Sequence, residues 1–128
     1  MIAFRRRHAC LMHSRFLSGL EREGHHFPDI TWHGERLHQP HWENADARVL
    51  ACTLGAVDPW EDDLFVILNM QDDSLDMPLP QVAEGHWYLA IDTAGQSPLD
   101  ITEPDGQPVQ EVPVCRVQPH SVVVFERR

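Results

Sequence analysis

The sequence predicts a mainly β fold, an antiparallel β-sandwich of about seven strands preceded by one N-terminal α-helix. Ten prolines recur from residue 28 to residue 119, so few helices can form between them. Short runs of strand-forming residues, bounded by turn residues, lie between the prolines. The runs span residues 30–33, 48–54, 64–69, 75–79, 86–92, 114–117 and 121–126. Short strands in this number, with no helical segments alternating between them, are typical of a sandwich or a barrel.

Three of these runs are almost continuously apolar, as the central strands of a sandwich would be. They span residues 48–54, 64–68 and 87–91. Trp87 lies inside the last of them and is therefore predicted to be a core residue.

Residues 1–17 are predicted to form one amphipathic helix. Its apolar residues fall mostly at spacings of three, four and seven, and arginines fill the other side. The apolar face comprises Ile2, Ala9, Leu11, Met12, Phe16 and Leu17. Gly19 and Gly24 are stop signals for this helix. No later segment predicts a partner helix, so we expect this face to pack on the sandwich or on a second copy of the chain, giving a homodimer.

Charge divides the chain at the end of this segment. Residues 1–20 carry four arginines and no acid, whereas residues 21–128 carry six arginines and twenty acids. We therefore assign residues 1–20 and residues 21–128 to different structural units. The formal net charge of −10 argues against nucleic acid and anionic membranes as partners.

The three cysteines, Cys10, Cys52 and Cys115, are far apart and form no CxxC motif. A secreted disulfide framework uses more cysteines at regular spacing, so a cytoplasmic protein is expected. Cys52 and Cys115 lie in apolar runs and are predicted to be small buried residues. The longest apolar run, residues 64–68, is too short to cross a bilayer.

Acidic clusters and histidines are the first candidates for chemistry. The carboxylates at residues 58–63 and 72–76 adjoin turn residues, where such groups are usually solvated, and nothing implies a pocket that would shift their pKa values. Five of the nine histidines fall between residues 25 and 41, without a zinc-binding motif. No nucleophile motif and no phosphate-binding glycine loop occurs. The sequence thus predicts no catalytic residue, no metal site and no cofactor.

Tryptophan is the remaining signal. Trp32, Trp42 and Trp60 lie outside the apolar runs and could stack on sugar rings or anchor the chain against another domain. Together with His33, which follows Trp32, they are the predicted carbohydrate-binding or barrel-docking residues.

Two segments carry a family resemblance. Residues 29–34 (Asp-Ile-Thr-Trp-His-Gly) and 39–42 (Gln-Pro-His-Trp) resemble the segment just after the catalytic barrel of isoamylase-type glycogen debranching enzymes in the α-amylase superfamily. Residues 2–8 and 15–17 are similar to the last barrel helix of that family. Further segments, in the same order, are similar to its C-terminal sandwich: residues 48–55, 65–70, 87–94 and 119–125.

The resemblance implies a β-sandwich that follows a (β/α)8 barrel, in an enzyme that hydrolyses α-1,6 branch points of glycogen-like glucans with retention. None of the family's catalytic motifs occurs here, so no catalytic residue is carried over. Residues 1–20 would be the terminal helix of the barrel and residues 21–128 the C-terminal sandwich domain. We expect the chain to be a fragment, because it begins within a helix.

Three roles are compatible with the sequence. The sandwich could stabilise the catalytic barrel as a scaffold, or it could bind glucan or glycogen chains through exposed tryptophans. Exposure of the rings in a shared groove would favour glucan binding, and their burial would favour the scaffold. The third role is an independent small enzyme or metal protein, which a stoichiometrically bound metal would support.

Overall fold

The computed structural model describes residues 1–12 and 14–128, and it is mainly β. Helix α1 (Ile2–Arg7) is followed by a 3-10 turn (Ala9–Leu11), and a second 3-10 turn spans Pro104–Gly106. Seven strands make up the rest of the regular structure in these described residues. They are β1 (Thr31–His33), β2 (Val49–Leu54), β3 (Asp63–Asn69), β4 (Leu75–Pro78), β5 (Trp87–Asp92), β6 (Val114–Val117) and β7 (Ser121–Arg127).

The strands form two antiparallel sheets, which confirms the predicted fold class. Five strands form the larger sheet in the order β1-β2-β3-β7-β5, and β4 pairs with β6 in the smaller one. The register of the larger sheet places Phe65 opposite both Thr53 and Phe125 at its centre. All seven predicted strands are present, and each observed boundary lies within one residue of the predicted one.

The larger core lies between the two sheets. Alternation along the strands turns every second side chain of the larger sheet toward the smaller one. The core consists of Ala51, Phe65, Ile67, Met77, Leu79, Trp87, Val117, Val123 and Phe125. Trp87 is only 4% exposed, and its Nε1 donates a hydrogen bond of 2.8 Å to the Pro80 carbonyl. The prediction of a core tryptophan is therefore confirmed.

A smaller core lies on the opposite face of the larger sheet, where the N-terminal segment covers one end of the strands. Phe4 of α1 and Cys10 of the following turn pack there. Their partners on the sheet and beside it are Cys52, Leu54, Leu64, Ala90, Ile91 and Val124. The sandwich itself therefore serves as a partner of the N-terminal segment.

The predicted extent of the N-terminal helix is wrong. The helix ends at Arg7, because His8 has an extended backbone that turns the chain toward the sheet. The predicted helix also includes His13, which lies outside the described residues. Its apolar face is largely exposed at Ile2, Met12 and Phe16, and the residue of α1 that is buried is Phe4.

The cysteines are free thiols, with Cys10 and Cys52 buried and Cys115 half-buried. The prediction of a small buried residue is therefore confirmed for Cys52, whereas Cys115 is only half-buried. Among the described residues, no helix has the length and apolar character needed to span a bilayer.

Candidate functional site

Trp32 and Trp42 meet at the edge of the larger sheet. Trp32 lies on the edge strand β1, where alternation turns His33 toward the larger core and Trp32 toward the opposite face. Trp42 comes from the connection between β1 and β2. The two rings are in edge-to-face contact, with centroids 5.4 Å apart and planes at 77°. They are 39% and 62% exposed, respectively.

Trp42 lines an apolar groove on the same face of the sheet. The groove has a volume of about 470 Å³, and its walls include Leu50, Leu68 and Met70. Leu50 and Leu68 are half-buried and Met70 is exposed, so this end of the sheet is not covered by the N-terminal segment. We call Trp32, Trp42, Leu50, Leu68 and Met70 the open face.

Trp32 also borders a second and larger groove. This groove has a volume of about 1020 Å³ and runs along the other side of β1. Its walls include Phe27, Leu37, Pro80 and Val114, together with Trp32. Trp42 does not line it, so the two exposed rings face different grooves.

His33, the third predicted site residue, is buried beneath this edge. Its Nδ1 accepts a hydrogen bond of 2.8 Å from the His38 backbone, and its Nε2 lies 2.9 Å from Thr53 Oγ1. Gly34 allows the tight turn that brings the His38 backbone to the His33 ring. A Cβ at position 34 would lie 2.3 Å from the Gln39 carbonyl oxygen. Burial, with a smaller contribution from the charge of His38, lowers the pKa of His33 to about 4. Both ring nitrogens of His33 therefore have hydrogen-bond partners, and these contacts hold the edge strand β1 against β2 and the following turn.

Trp60, the fourth predicted site residue, lies apart from these grooves. It is 85% exposed in the loop between β2 and β3, and the described walls of the two grooves do not include it. The structure therefore brings Trp32, His33 and Trp42 together and leaves Trp60 separate.

The interpretation of the 58–63 cluster as solvated turn carboxylates is wrong for two of its members. Asp63 is buried, where it accepts a hydrogen bond of 2.8 Å from the Ala56 backbone and forms an ion pair of 2.7 Å with Arg127. Glu61 accepts hydrogen bonds from the backbones of Val57 at 2.7 Å and Cys10 at 3.0 Å. These contacts organise the hairpin loop and attach it to the N-terminal segment.

A buried polar cluster around Glu126 is absent from the sequence-based predictions. Glu126 Oε1 lies 2.6 Å from His8 Nε2 and 3.0 Å from Arg7 Nε, and Gln107 donates a hydrogen bond to Oε2. Burial acts to raise the pKa of Glu126, but the hydrogen bonds from His8 and Gln107 and the charge of Arg7 outweigh it, so the pKa lies below its usual value. Glu126 is therefore a buried carboxylate. The alternation of β7 places Glu126 on the same face as Val122 and Val124, but it does not identify His8 as the partner of Glu126.

Beside this cluster, His8, Cys10 and Glu61 form a compact trio. One ring nitrogen of His8, Cys10 Sγ and one carboxylate oxygen of Glu61 lie within 4.8 Å of one another. Burial, the charge of Glu61 and a hydrogen bond to its carboxylate raise the pKa of the Cys10 thiol to about 12. Cys10 lies within the segment predicted to be a helix, and this arrangement is absent from the sequence-based predictions because Glu61 is 51 residues away along the chain.

Comparison with known proteins identifies the fold's relatives. The family model described as isoamylase 1–3, C-terminal, matches residues 31–123, from the first residue of β1 into β7. Chloroplastic isoamylase 2 of Oryza sativa subsp. japonica is 28% identical over 110 residues, which cover 78% of this chain and 14% of that protein. The chain thus spans about a seventh of the length of this relative. The family match covers most of the chain and all seven strands at least in part, so the chain belongs to the isoamylase 1–3 C-terminal domain family.

Proposed function

We propose that this chain is a non-catalytic accessory domain of an enzyme that hydrolyses α-1,6 branch linkages in glycogen-like glucans. The observation that carries the proposal is the family match over residues 31–123. The relative that contains a similar domain is about seven times longer, so the catalytic groups of such an enzyme would lie elsewhere in the polypeptide. A cytoplasmic location, as expected from the free cysteines, stays a prediction.

We further propose that the domain stabilises the catalytic barrel by packing against it through the open face. The five side chains of this face are all apolar or aromatic, and a half-exposed apolar sheet face is typical of a surface that another protein domain covers. The occupant is the catalytic domain of the same polypeptide, because the chain corresponds to 14% of a longer relative. A contact of this kind would reduce the water-exposed apolar area of both domains.

A binding measurement between separate domains tests the scaffold role. The purified chain is mixed with the catalytic domain of the longer isoamylase-type polypeptide, produced without its own C-terminal domain, and affinity is measured by calorimetry. We expect binding that weakens at least tenfold in Met70→Asp, because a buried unpaired carboxylate costs more than about 1.4 kcal/mol. Leu99→Asp is the matched control, since Leu99 is an exposed apolar residue outside both grooves. Absence of binding, or equal loss in both variants, would contradict the docking role.

Carbohydrate binding is the second candidate, and the exposure of Trp32 and Trp42 at one edge is the observation that favours it. The edge-to-face contact favours docking instead, because the two rings do not offer a common plane on which successive sugars could stack. The rings also border different grooves. Titration with glycogen and malto-oligosaccharides, followed by tryptophan fluorescence, separates the candidates. We expect no saturable change, whereas binding that is lost in Trp42→Ala and kept in Trp60→Ala would replace the scaffold role by carbohydrate binding.

The N-terminal segment bears on whether the chain forms a homodimer. Packing of Phe4 and Cys10 on the larger sheet supports an intramolecular partner over a second copy of the chain. Sedimentation equilibrium should therefore give a monomer. A dimer that dissociates in Phe16→Ser, which changes a fully exposed side chain, would instead support self-association through this segment.

A further inference from the structure

We propose that His8, Cys10 and Glu61 form a binding site for a divalent transition metal of the zinc type. The site would lie between the N-terminal segment and the loop that joins β2 to β3. The three side chains offer one nitrogen, one sulfur and one oxygen ligand within 4.8 Å of one another. This inference concerns a different part of the molecule from the open face and does not depend on the proposed function.

The hydrogen bonding of His8 supplies an independent observation. Nε2 of His8 lies 2.6 Å from the Glu126 carboxylate, which leaves Nδ1 as the ring nitrogen available to a metal ion. Nδ1 has no hydrogen-bond partner among the described residues, although His8 is only 1% exposed. A buried, unpaired ring nitrogen is costly, and a metal ion would satisfy it.

Glu126 also completes a pattern that is common around metal ions in proteins. A histidine that binds a metal usually donates its other ring N–H to a carboxylate, which fixes the ring orientation and increases its basicity. Arg7 and Gln107 hold the Glu126 carboxylate in place from the other side. The carboxylate that would orient a metal-bound His8 is therefore already in place and is itself held by hydrogen bonds.

The ligand types select the kind of metal. Thiolate and imidazole ligands favour zinc or cobalt, whereas calcium and magnesium prefer oxygen ligands alone. Ligand atoms around one tetrahedral ion lie roughly 3.5 Å apart, so the separations within the trio would contract by at most about 1 Å on metal binding. Glu61 lies in a loop and Cys10 in a single 3-10 turn, and small rotations of both can provide this contraction. On binding, the thiol proton of Cys10 passes to solvent, and water fills the fourth position.

Of the three proposed ligands, Cys10 borders a cavity at the protein surface. The cavity has a volume of about 260 Å³, and its walls include Leu17, Arg22 and Val57. A hydrated ion could reach the sulfur through this cavity and lose its water there. The bound ion would join residues 8 and 10 to residue 61, and it would stabilise the folded protein increasingly as the free metal concentration rises above the dissociation constant.

Cobalt titration of the full 128-residue chain tests the proposal. We expect one equivalent of Co²⁺ to bind, with near-ultraviolet charge-transfer absorption from the thiolate, and Zn²⁺ to displace it. Cys10→Ser should abolish that absorption and weaken Zn²⁺ binding more than about tenfold, as measured by competition with a chromophoric chelator. Cys115→Ser is the matched control and should behave like the unmodified chain, because Cys115 lies on β6.

A second measurement needs no variant and therefore remains informative if Cys10→Ser fails to fold. Zn²⁺ should slow the alkylation of Cys10 by a thiol reagent, quantified peptide by peptide by mass spectrometry, and should leave the rate at Cys115 unchanged. Equal alkylation of Cys10 with and without Zn²⁺ would overturn the proposal. Cobalt binding without thiolate absorption would overturn it as well, since it would place the ion on other histidines.

Discussion

His33 is a titratable side chain that the fold keeps neutral. Its folded-state pKa of about 4 lies below the ordinary value of 6.5, primarily because of burial. Between these two pH values the unfolded chain binds a proton that the folded chain does not. With respect to this group, the folded protein is therefore most stable above pH 6.5. Its free energy of unfolding falls as the pH decreases from 6.5 toward 4. We expect this group to reduce the free energy of unfolding by up to about 3 kcal/mol across that range.

The His33 contribution is isolated by comparison with His33→Gln, which can keep a hydrogen bond to Thr53 but does not titrate. Urea unfolding of both proteins at several pH values gives two stability profiles. The free energy of unfolding of the unmodified protein should fall relative to that of His33→Gln as the pH decreases from 6.5 to 4. The reason is that only the unmodified protein has a side chain at position 33 that titrates. Parallel profiles would contradict a neutral buried His33.

Trp87 provides a test of the larger core. Its ring contacts Phe27 and Phe65 and is almost completely buried. Trp87→Ala should therefore lower the free energy of unfolding by about 3–5 kcal/mol, through lost burial and the cavity left behind. Trp60→Ala is the matched control, because Trp60 is exposed, and should cost less than about 0.5 kcal/mol. Urea denaturation measures both, and a loss below about 1 kcal/mol for Trp87→Ala would contradict a core role.

Residues differ in how far their environment can be predicted from sequence. Trp87 lies inside an apolar strand, so its neighbours along the chain already indicate burial. The burial of Glu126 depends on His8, which is 118 residues away in the chain. No local pattern encodes such a pair, and an acidic residue near the end of a strand is usually exposed. Trp32 and Trp42 could each be predicted as binding or docking residues from the sequence. The proposed metal ligands His8, Cys10 and Glu61 could not, because they come together only in the fold.

At the scale of elements, strands were predicted more accurately than the helix. Strand boundaries depend on local alternation and on proline and turn residues, which the sequence displays directly. The helix prediction relied on periodicity across residues 1–17, but the chain leaves the helix after Arg7. The extended conformation of His8 brings His8 to Glu126, and that contact belongs to the tertiary structure and not to helical propensity.

The packing of helix α1 can be tested through its two large apolar side chains. Phe4 is 5% exposed and Ile2 is 74% exposed, so the helix docks on the sheet through Phe4. Phe4→Ala should lower the free energy of unfolding by about 3 kcal/mol, and Ile2→Ala by less than about 0.5 kcal/mol. Thermal unfolding monitored by circular dichroism measures the difference. Similar effects of the two substitutions would contradict the observed orientation of α1.

At the scale of the whole molecule, the larger sheet is covered on one face and only partly covered on the other. The smaller sheet covers one face, and the N-terminal segment covers one end of the other face. The predicted boundary at residue 20 separates this segment from the sandwich, and it stays a prediction. The packing of Phe4, His8 and Cys10 nevertheless implies that residues 21–128 depend on residues 1–20 for part of their stability.

Deletion of residues 1–20, combined with Glu126→Gln, measures that dependence. In the full chain the substitution removes a carboxylate that Arg7 and His8 contact, and it should cost about 1–3 kcal/mol of unfolding free energy. In the shortened chain those partners are gone and water reaches residue 126, so the same substitution should cost less than about 0.5 kcal/mol. Urea unfolding of the four proteins gives the coupling energy directly. If Glu126→Gln costs the same in both backgrounds, the N-terminal segment does not pack on the sheet in solution.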